Sequence, residues 1–388
     1  MLISTTEELR LYSPANAIDH FDTLAAFLDS SEHDFLSDKL GPKLHAALSD
    51  YYANLRQGDG IATFLASIES GIELPPYARL LKIAQRILTY DALGRAIDLQ
   101  AISVNGAGVN VSVADDYPKA EREAIASYKQ TCVKEAHAAV NRLLVLLEEW
   151  TQEVAAIPVP SSSSAEEESS SVSGDGIAES DTATEKAEIV TLWRTSRYYY
   201  LAAGLAIPSA TILQEYLNIY DSREKFITLL PDLRYIQEDI IAPIIGEDFL
   251  DYLITYARAL PTESIASICS VLGGSAAEGE ETDDPATVRL MARIIHRLRK
   301  AVARHLESRL SKLGDARRET AHSEAVRLTS DLSEYITSHQ PDFPASVLRA
   351  FQSSPLYVAP ATPETDADTE TFENNSSTSV IFVTPALN

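Results

Sequence analysis

The chain has 388 residues, with 57 acidic side chains against 32 basic ones, a net charge of −25 and a pI near 4.7. That length exceeds what one core serves well, so two domains are expected, and that charge disfavours free nucleic acid as a partner. Two cysteines far apart, Cys132 and Cys269, support neither a disulfide framework nor a zinc site, and the longest aliphatic run, residues 143–147, is too short to cross a bilayer. With no basic-then-apolar segment at the N-terminus, a soluble cytoplasmic protein is the expectation.

Thr5 and Glu8 have capping-box spacing, which predicts a first helix ending before Pro14. Helix is expected again from about Ile18, with Asp19 and Asp22 near its start, until Gly41-Pro42 closes it and opens another that reaches about Leu55. Residues 21–55 pair without a gap with residues 226–260 at an offset of 205 (226 − 21). The match sets Leu24 on Leu229, Leu28 on Leu233, Leu40 on Ile245, Gly41 on Gly246, Leu48 on Leu253 and Tyr51 on Tyr256. Steps of three and four are helical, and a glycine stands where each first helix must end, so a duplication is expected.

After a turn at Gly58-Asp59-Gly60, Pro75-Pro76 introduces a helix with Leu80, Ile83, Ile87 and Tyr90 on one face. The period then changes. Ile102 and Val104, a turn at residues 105–108, then Val109, Val111 and Val113 predict a small β-hairpin. This glycine-rich turn lacks the spacing and the lysine of a phosphate loop. A long helix from Pro118 to Trp150 follows, with Cys132, Ala136, Val140, Leu144 and Leu147 as its seam.

Residues 158–188 are dominated by Ser, Glu, Asp and Ala and are expected to be a disordered linker. The second domain is expected over 189–340, opening on a helix with Trp193 and Tyr198 to Tyr200, whose rings either pack on the repeat or form a partner surface. Pro285 starts a helix whose Met291, Ile294, Leu298 and Ala301 follow Leu80, Ile83, Ile87 and Tyr90 at an offset of 211 (291 − 80). Leu328, Leu332 and Tyr335 belong to the closing helix, and the tail 341–388 is expected to be irregular or disordered, with residues 379–384 able to add as a strand to a neighbour. The predicted fold is all-α: two tandem duplicated helical bundles, the first (1–157) carrying the hairpin near 102–113.

No HExxH or HxxxH motif, GxSxG elbow or phosphate loop occurs. The histidines, among them His20, His33, His45, His296, His305 and His322, read as solvated side chains. No catalytic, metal or cofactor residue is expected, and the chain is read as non-enzymatic. One departure from the acidic field is the run Arg289, Arg293, Arg297, Arg299, Lys300, Arg304 and Arg309, which makes a positive stripe on a helix. Two readings stay open, pairing with the acidic surplus of the chain or contact with a partner. Candidate interaction residues are therefore Arg289, Arg293, Arg297 and Arg304 of this run, and Val104, Val109 and Val111 of the hairpin.

The segments STTEELRLY, SSEHDFLSDKLGPKL, ISVNGAGVNV and FITLLPDLRYIQEDIIAPIIG resemble those of an uncharacterised family of Bacteroides-type phages and prophages, over nearly the whole chain. That family is similar, more distantly, to the helical head–tail connector (adaptor) proteins that dock beneath a phage portal, although those have one helical domain. The resemblance implies a virion structural role, with itself, the portal or other head–tail proteins as partners, a location in the host cytoplasm and the virion, and no catalytic residues. A host helical interaction scaffold in the cytosol is the alternative.

Overall fold

The computed structural model describes residues 1–13, 21–100, 102–105, 108–111, 122–156, 175–201, 203–259, 285–311 and 315–359; over 98–111 and 175–180 the description is of the backbone alone. Among them, helices α1 to α8 are Thr6–Tyr12, Asp22–Ser31, Ser37–Leu40, Pro42–Leu55, Gly60–Glu69, Pro76–Gln100, Arg122–Ala156 and Asp175–Trp193. Helices α9 to α15 are Ala210–Gln214, Arg223–Tyr235, Ala242–Ile245, Glu247–Ala259, Pro285–Leu310, Ala316–Ser338 and Ala345–Phe351. Strands β1 (Ile102–Asn105) and β2 (Gly108–Val111) pair antiparallel, Val104 opposite Val109 and Ile102 opposite Val111. All other regular elements described are helical, and the fold class is all-α.

The chain forms two units. Unit 1 comprises Met1–Ile236 and Val302–His322, and unit 2 comprises Gln237–Ala301 and Ser323–Asn388.

Unit 1 is built on α6 and α7, which make its most extensive helix–helix contact, with α8 against α4, α6 and α7. Small residues let the two long helices approach closely: Ala84, Ala92 and Ala96 on α6 and Cys132, Ala136 and Ala139 on α7 are all buried. Leu28, Leu40, Leu44, Leu81, Leu88, Leu143, Leu147, Trp150 and Trp193 complete the core. Each such leucine contributes roughly 1.5–3 kcal/mol by leaving water. At the N-terminus, Thr5 Oγ1 accepts from the Glu8 N–H at 3.3 Å while the Glu8 carboxylate accepts from the Thr5 N–H at 3.0 Å, so the capping box starts α1 where the spacing places it.

In unit 2, Phe249 of α12 packs edge-on against Phe351 of α15, ring centroids 4.9 Å apart, with Phe343 beside both. Met291, Ile294, Leu298 and Ala301 of α13 are buried, as are Ala325, Leu332 and Ile336 of α14.

The two matched stretches have the same local build. In the first, α2 runs into a π-helical turn (Glu32–Leu36), then α3, then Gly41 at φ 80°, then α4. In the second, α10 runs into a π-helical turn (Ile236–Ile241), then α11, then Gly246 at φ 90°, then α12. A serine seals each glycine. Ser196 Oγ donates to the Lys39 carbonyl at 3.2 Å and accepts from the Tyr198 N–H at 3.1 Å; Ser354 Oγ donates to the Ile245 carbonyl at 2.6 Å and accepts from the Leu356 N–H at 3.2 Å. A Cβ on Gly41 would come within 2.8 Å of Ser196 Cβ, and one on Gly246 within 2.9 Å of Ser354 Cα. Both glycines therefore answer to a positive φ and to a close neighbour.

Several expectations are corrected. Residues 175–188, assigned to a disordered linker, are the first part of α8, because Ile189, Val190 and Trp193 at its end insert into the core of unit 1. For the same reason the units do not divide at that linker, and residues 189–236 belong to unit 1. No helix continues from Trp193 through Tyr200: the chain turns at Ser196, and Tyr199 and Tyr200 pack edge-on against Trp193 with centroids 5.1 and 6.3 Å apart. The tail is ordered through α15, whose Val347 and Phe351 are buried. Helix α5 had no counterpart in the sequence reading. The helix start near Ile18, His20, Pro118, residues 157–174, Cys269, residues 312–314 and the strand at 379–384 lie outside the described residues.

Candidate functional site

The basic run does not form one stripe. Arg299 is buried, and Arg309 pairs with Asp232 at 2.8 Å while lying 4.4 Å over the Tyr235 ring. Arg304, a predicted interaction residue, pairs with Glu307 one turn away and belongs to unit 1 rather than to the group that follows. The other three predicted arginines stay together. Arg289, Arg293 and Arg297 recur every fourth residue of α13, which places them on one face with His296 and Lys300. They line two adjoining clefts of about 390 and 470 Å³ that share Arg293 and Tyr335. Leu328, Asp331 and Tyr335 of α14 and His339 and Asp342 beyond it form the other wall.

Charge in this cleft is poorly balanced. Asp331 pairs with Arg327 at 3.0 Å, and among the described residues no carboxylate lies within ion-pair distance of Arg289, Arg293, Arg297 or Lys300. Arg297 rests 4.3 Å over the Tyr335 ring, which in turn stacks on His339 with centroids 4.1 Å apart. The face of an aromatic ring holds a cation without neutralising it. The Tyr335 hydroxyl is shielded from water and has no hydrogen-bond partner among the described residues. The row of cations can bind carboxylates or other anions.

Val104, Val109 and Val111 stand on the paired strands, with Val104 opposite Val109; their side chains lie outside the description. The structure therefore sets Arg289, Arg293 and Arg297 on the lining of the clefts, and Arg304 is not among the lining residues.

Unit 1 contains ionisable clusters that sequence reasoning missed. Glu148 of α7 accepts from Arg223 Nε at 2.9 Å and from the Tyr200 hydroxyl, and Arg223 donates to Thr211 Oγ1 at 2.8 Å. Lys39 lies against Tyr198 and 3.3 Å from Glu224, whose other oxygen is 2.6 Å from His137 Nδ1. The hydrogen bond that the Glu224 carboxylate accepts raises His137, and although burial disfavours its charge, Lys39 is raised by Tyr198 and Glu224 and stays an ammonium. A lysine so held is a poor nucleophile, and the cluster joins α3, α7 and α10. Nothing in the local spacing of these residues signals the contacts, which span 12 to 159 positions.

Around the N-terminus, Glu32 accepts from the Leu2 N–H at 2.7 Å and lies 3.2 Å from His45 Nε2 and 3.3 Å from the Met1 ammonium. Burial favours the neutral acid, but these partners outweigh it and hold Glu32 below the usual carboxylate range. Glu8 accepts from the Tyr52 hydroxyl at 2.9 Å and from Gln85 Nε2 at 2.8 Å. His45 and His305 are thus corrected: the first is an ion-pair partner, and the second is buried and lowered by burial and by His322. Burial also pushes the Cys132 thiol up, away from reactivity.

Among the described residues, no three His, Cys, Asp or Glu side chains gather as a metal site, and no helix is long and apolar enough to cross a membrane. Comparison with protein-family models, with curated proteins and with solved structures finds no match in any of the three.

Proposed function

We propose that this chain is a non-enzymatic assembly protein whose cleft on α13 and α14 receives an acidic surface of a partner. The observation that carries the reading is the row Arg289, Arg293, Arg297 and Lys300, without carboxylate partners among the described residues, on a chain of net charge −25. With so large an acidic surplus, a row of cations that no described carboxylate pairs offers a seat to an acidic surface. Following the sequence resemblance, the specific form of the proposal is a head–tail connector of a phage or prophage, acting in the host cytoplasm and then in the virion. Its partners are a second copy, the portal or another head–tail protein.

The two glycine-centred stretches support an internal duplication, because the π turn, the positive-φ glycine and the sealing serine recur in the same order. On that reading β1 and β2 are a projection that only the first repeat carries. Association through the cleft should weaken as salt rises from about 0.05 to about 0.5 M, since exposed charges are screened beyond about 10 Å at 0.1 M. The test is co-purification of wild type and the Arg293→Glu/Arg297→Glu variant with particles of the encoding phage. Retention of the wild type and loss of the variant is the expected result; absence of the wild type from particles defeats the connector assignment.

A further inference from the structure

We propose that the cleft is occupied, in the free protein, by the chain's own acidic C-terminal arm, with Glu364, Asp366, Asp368 and Glu370 set against Arg289, Arg293, Arg297 and Lys300. Residues 360–388 contain five carboxylates and no lysine or arginine. The first four carboxylates recur at every second residue, so an extended chain presents them on one edge at about 6.6 Å intervals. Cations four apart on a helix recur at about 6 Å. The two rows therefore run nearly in register over Arg289, Arg293 and Arg297, with Lys300 one shorter step of about 4.5 Å beyond.

The chain also leaves the described structure at the cleft's edge. Val358 is tied to Gln340: its N–H donates to Gln340 Oε1 at 3.1 Å, and Gln340 Nε2 donates back to its carbonyl. The neighbours of Gln340 in the sequence include His339 and Asp342, which line the cleft with Arg289 and Arg293. Glu364 is five residue steps beyond Ala359, a reach of up to about 17 Å. So short a tether gives the arm an effective concentration on the order of millimolar.

The occupancy stands on this geometry; its consequence, that a partner's acidic surface must displace the arm, rests on the docking reading above. Two measurements on the full chain test it. Among the described residues Lys300 is the only primary amine lining the cleft, so a carbodiimide should join its Nζ to an arm carboxyl as an amide. In a mixture of ¹⁴N and ¹⁵N chains, the joined peptides should carry a single isotope. Mixed isotopes would assign the cleft to a second copy's arm and overturn the proposal, as would failure to form the amide.

The second measurement is binding of a synthetic peptide of residues 360–375 to wild type and to the Glu364→Gln/Asp366→Asn/Asp368→Asn/Glu370→Gln chain. The neutralised chain should bind it more tightly, by on the order of tenfold, and should lose that binding when Arg293→Glu/Arg297→Glu is added. Equal binding to both chains overturns the arm and leaves the docking site standing. Binding to neither overturns the docking reading as well.

Discussion

Helices α6 and α13 carry a similar apolar pattern at an offset of 211 (291 − 80), and they treat their charges differently. Arg86 of α6 matches Arg297 of α13 at the offset that sets Leu80 on Met291. Both arginines lie over a tyrosine ring, Tyr90 at 5.5 Å and Tyr335 at 4.3 Å, but Arg86 also pairs with Glu135 at 2.8 Å. Lys82, Gln85 and Thr89 on α6 stand where Arg293, His296 and Lys300 stand on α13. Around Gly41 the pattern continues: His45 serves the Glu32 ion pair, and its match Leu250 is a buried apolar side chain. Arg86 is thus paired within unit 1, whereas Arg293, Arg297 and Lys300 of unit 2 meet no carboxylate among the described residues. Exposed positions accept such charge changes at little energetic cost, so similar helical patterns can serve stability in one place and binding in another.

The largest way to break this contrast lies in unit 1. Arg223→Met leaves Glu148 buried without its cation, and removal of one member of a buried pair costs about 3–5 kcal/mol; the side chains are only 5% and 7% exposed. Urea unfolding should show that loss. A change below about 1 kcal/mol would mean that Tyr200 alone satisfies Glu148.

Gly41→Ala and Gly246→Ala test the shared part of the design. Each forces a non-glycine residue into a backbone region that costs roughly 1–3 kcal/mol, before any shift of Ser196 or Ser354. Comparable losses in thermal or urea unfolding are expected. A loss at one position only would separate the two stretches.

The N-terminal network supplies a pH test. Glu32 has a folded pKa below its ordinary value of 4.5, so its stabilisation is complete above that pH and is lost as pH falls through the folded value. The stability gap between wild type and Glu32→Gln should therefore be constant at neutral pH and close in acid. A gap that widens on acidification would reverse the sign of the argument.

The smallest effects on stability, and the sharpest on function, belong to the matched arginines. Arg297→Gln removes a cation–π contact of about 0.5–1 kcal/mol, and Arg86→Gln removes a half-exposed ion pair of about 0–1 kcal/mol. Only the first should weaken binding of an acidic peptide, measured by fluorescence anisotropy. Equal weakening by both would show that bulk charge, not the cleft, governs association.

The local rules reached far. Apolar steps of three and four located the buried faces of α4, α6, α7 and α13, Thr5 with Glu8 located the start of α1, and two glycines marked the ends of matched helices. These features depend on near neighbours in the chain, so the sequence determined them by itself. Arginines at every fourth position likewise put Arg289, Arg293 and Arg297 on one face.

Tertiary structure alone decided what each charge meets. Whether an arginine is open depends on a carboxylate brought from elsewhere: Arg309 finds Asp232, 77 positions away, and Arg223 finds Glu148, 75 away, while the Arg297 row finds an aromatic wall. The same holds for α8, whose polar composition reads as linker until Trp193 finds a core to fill. Burial and pairing are properties of the folded neighbourhood, and partners so distant in sequence leave no local period to read.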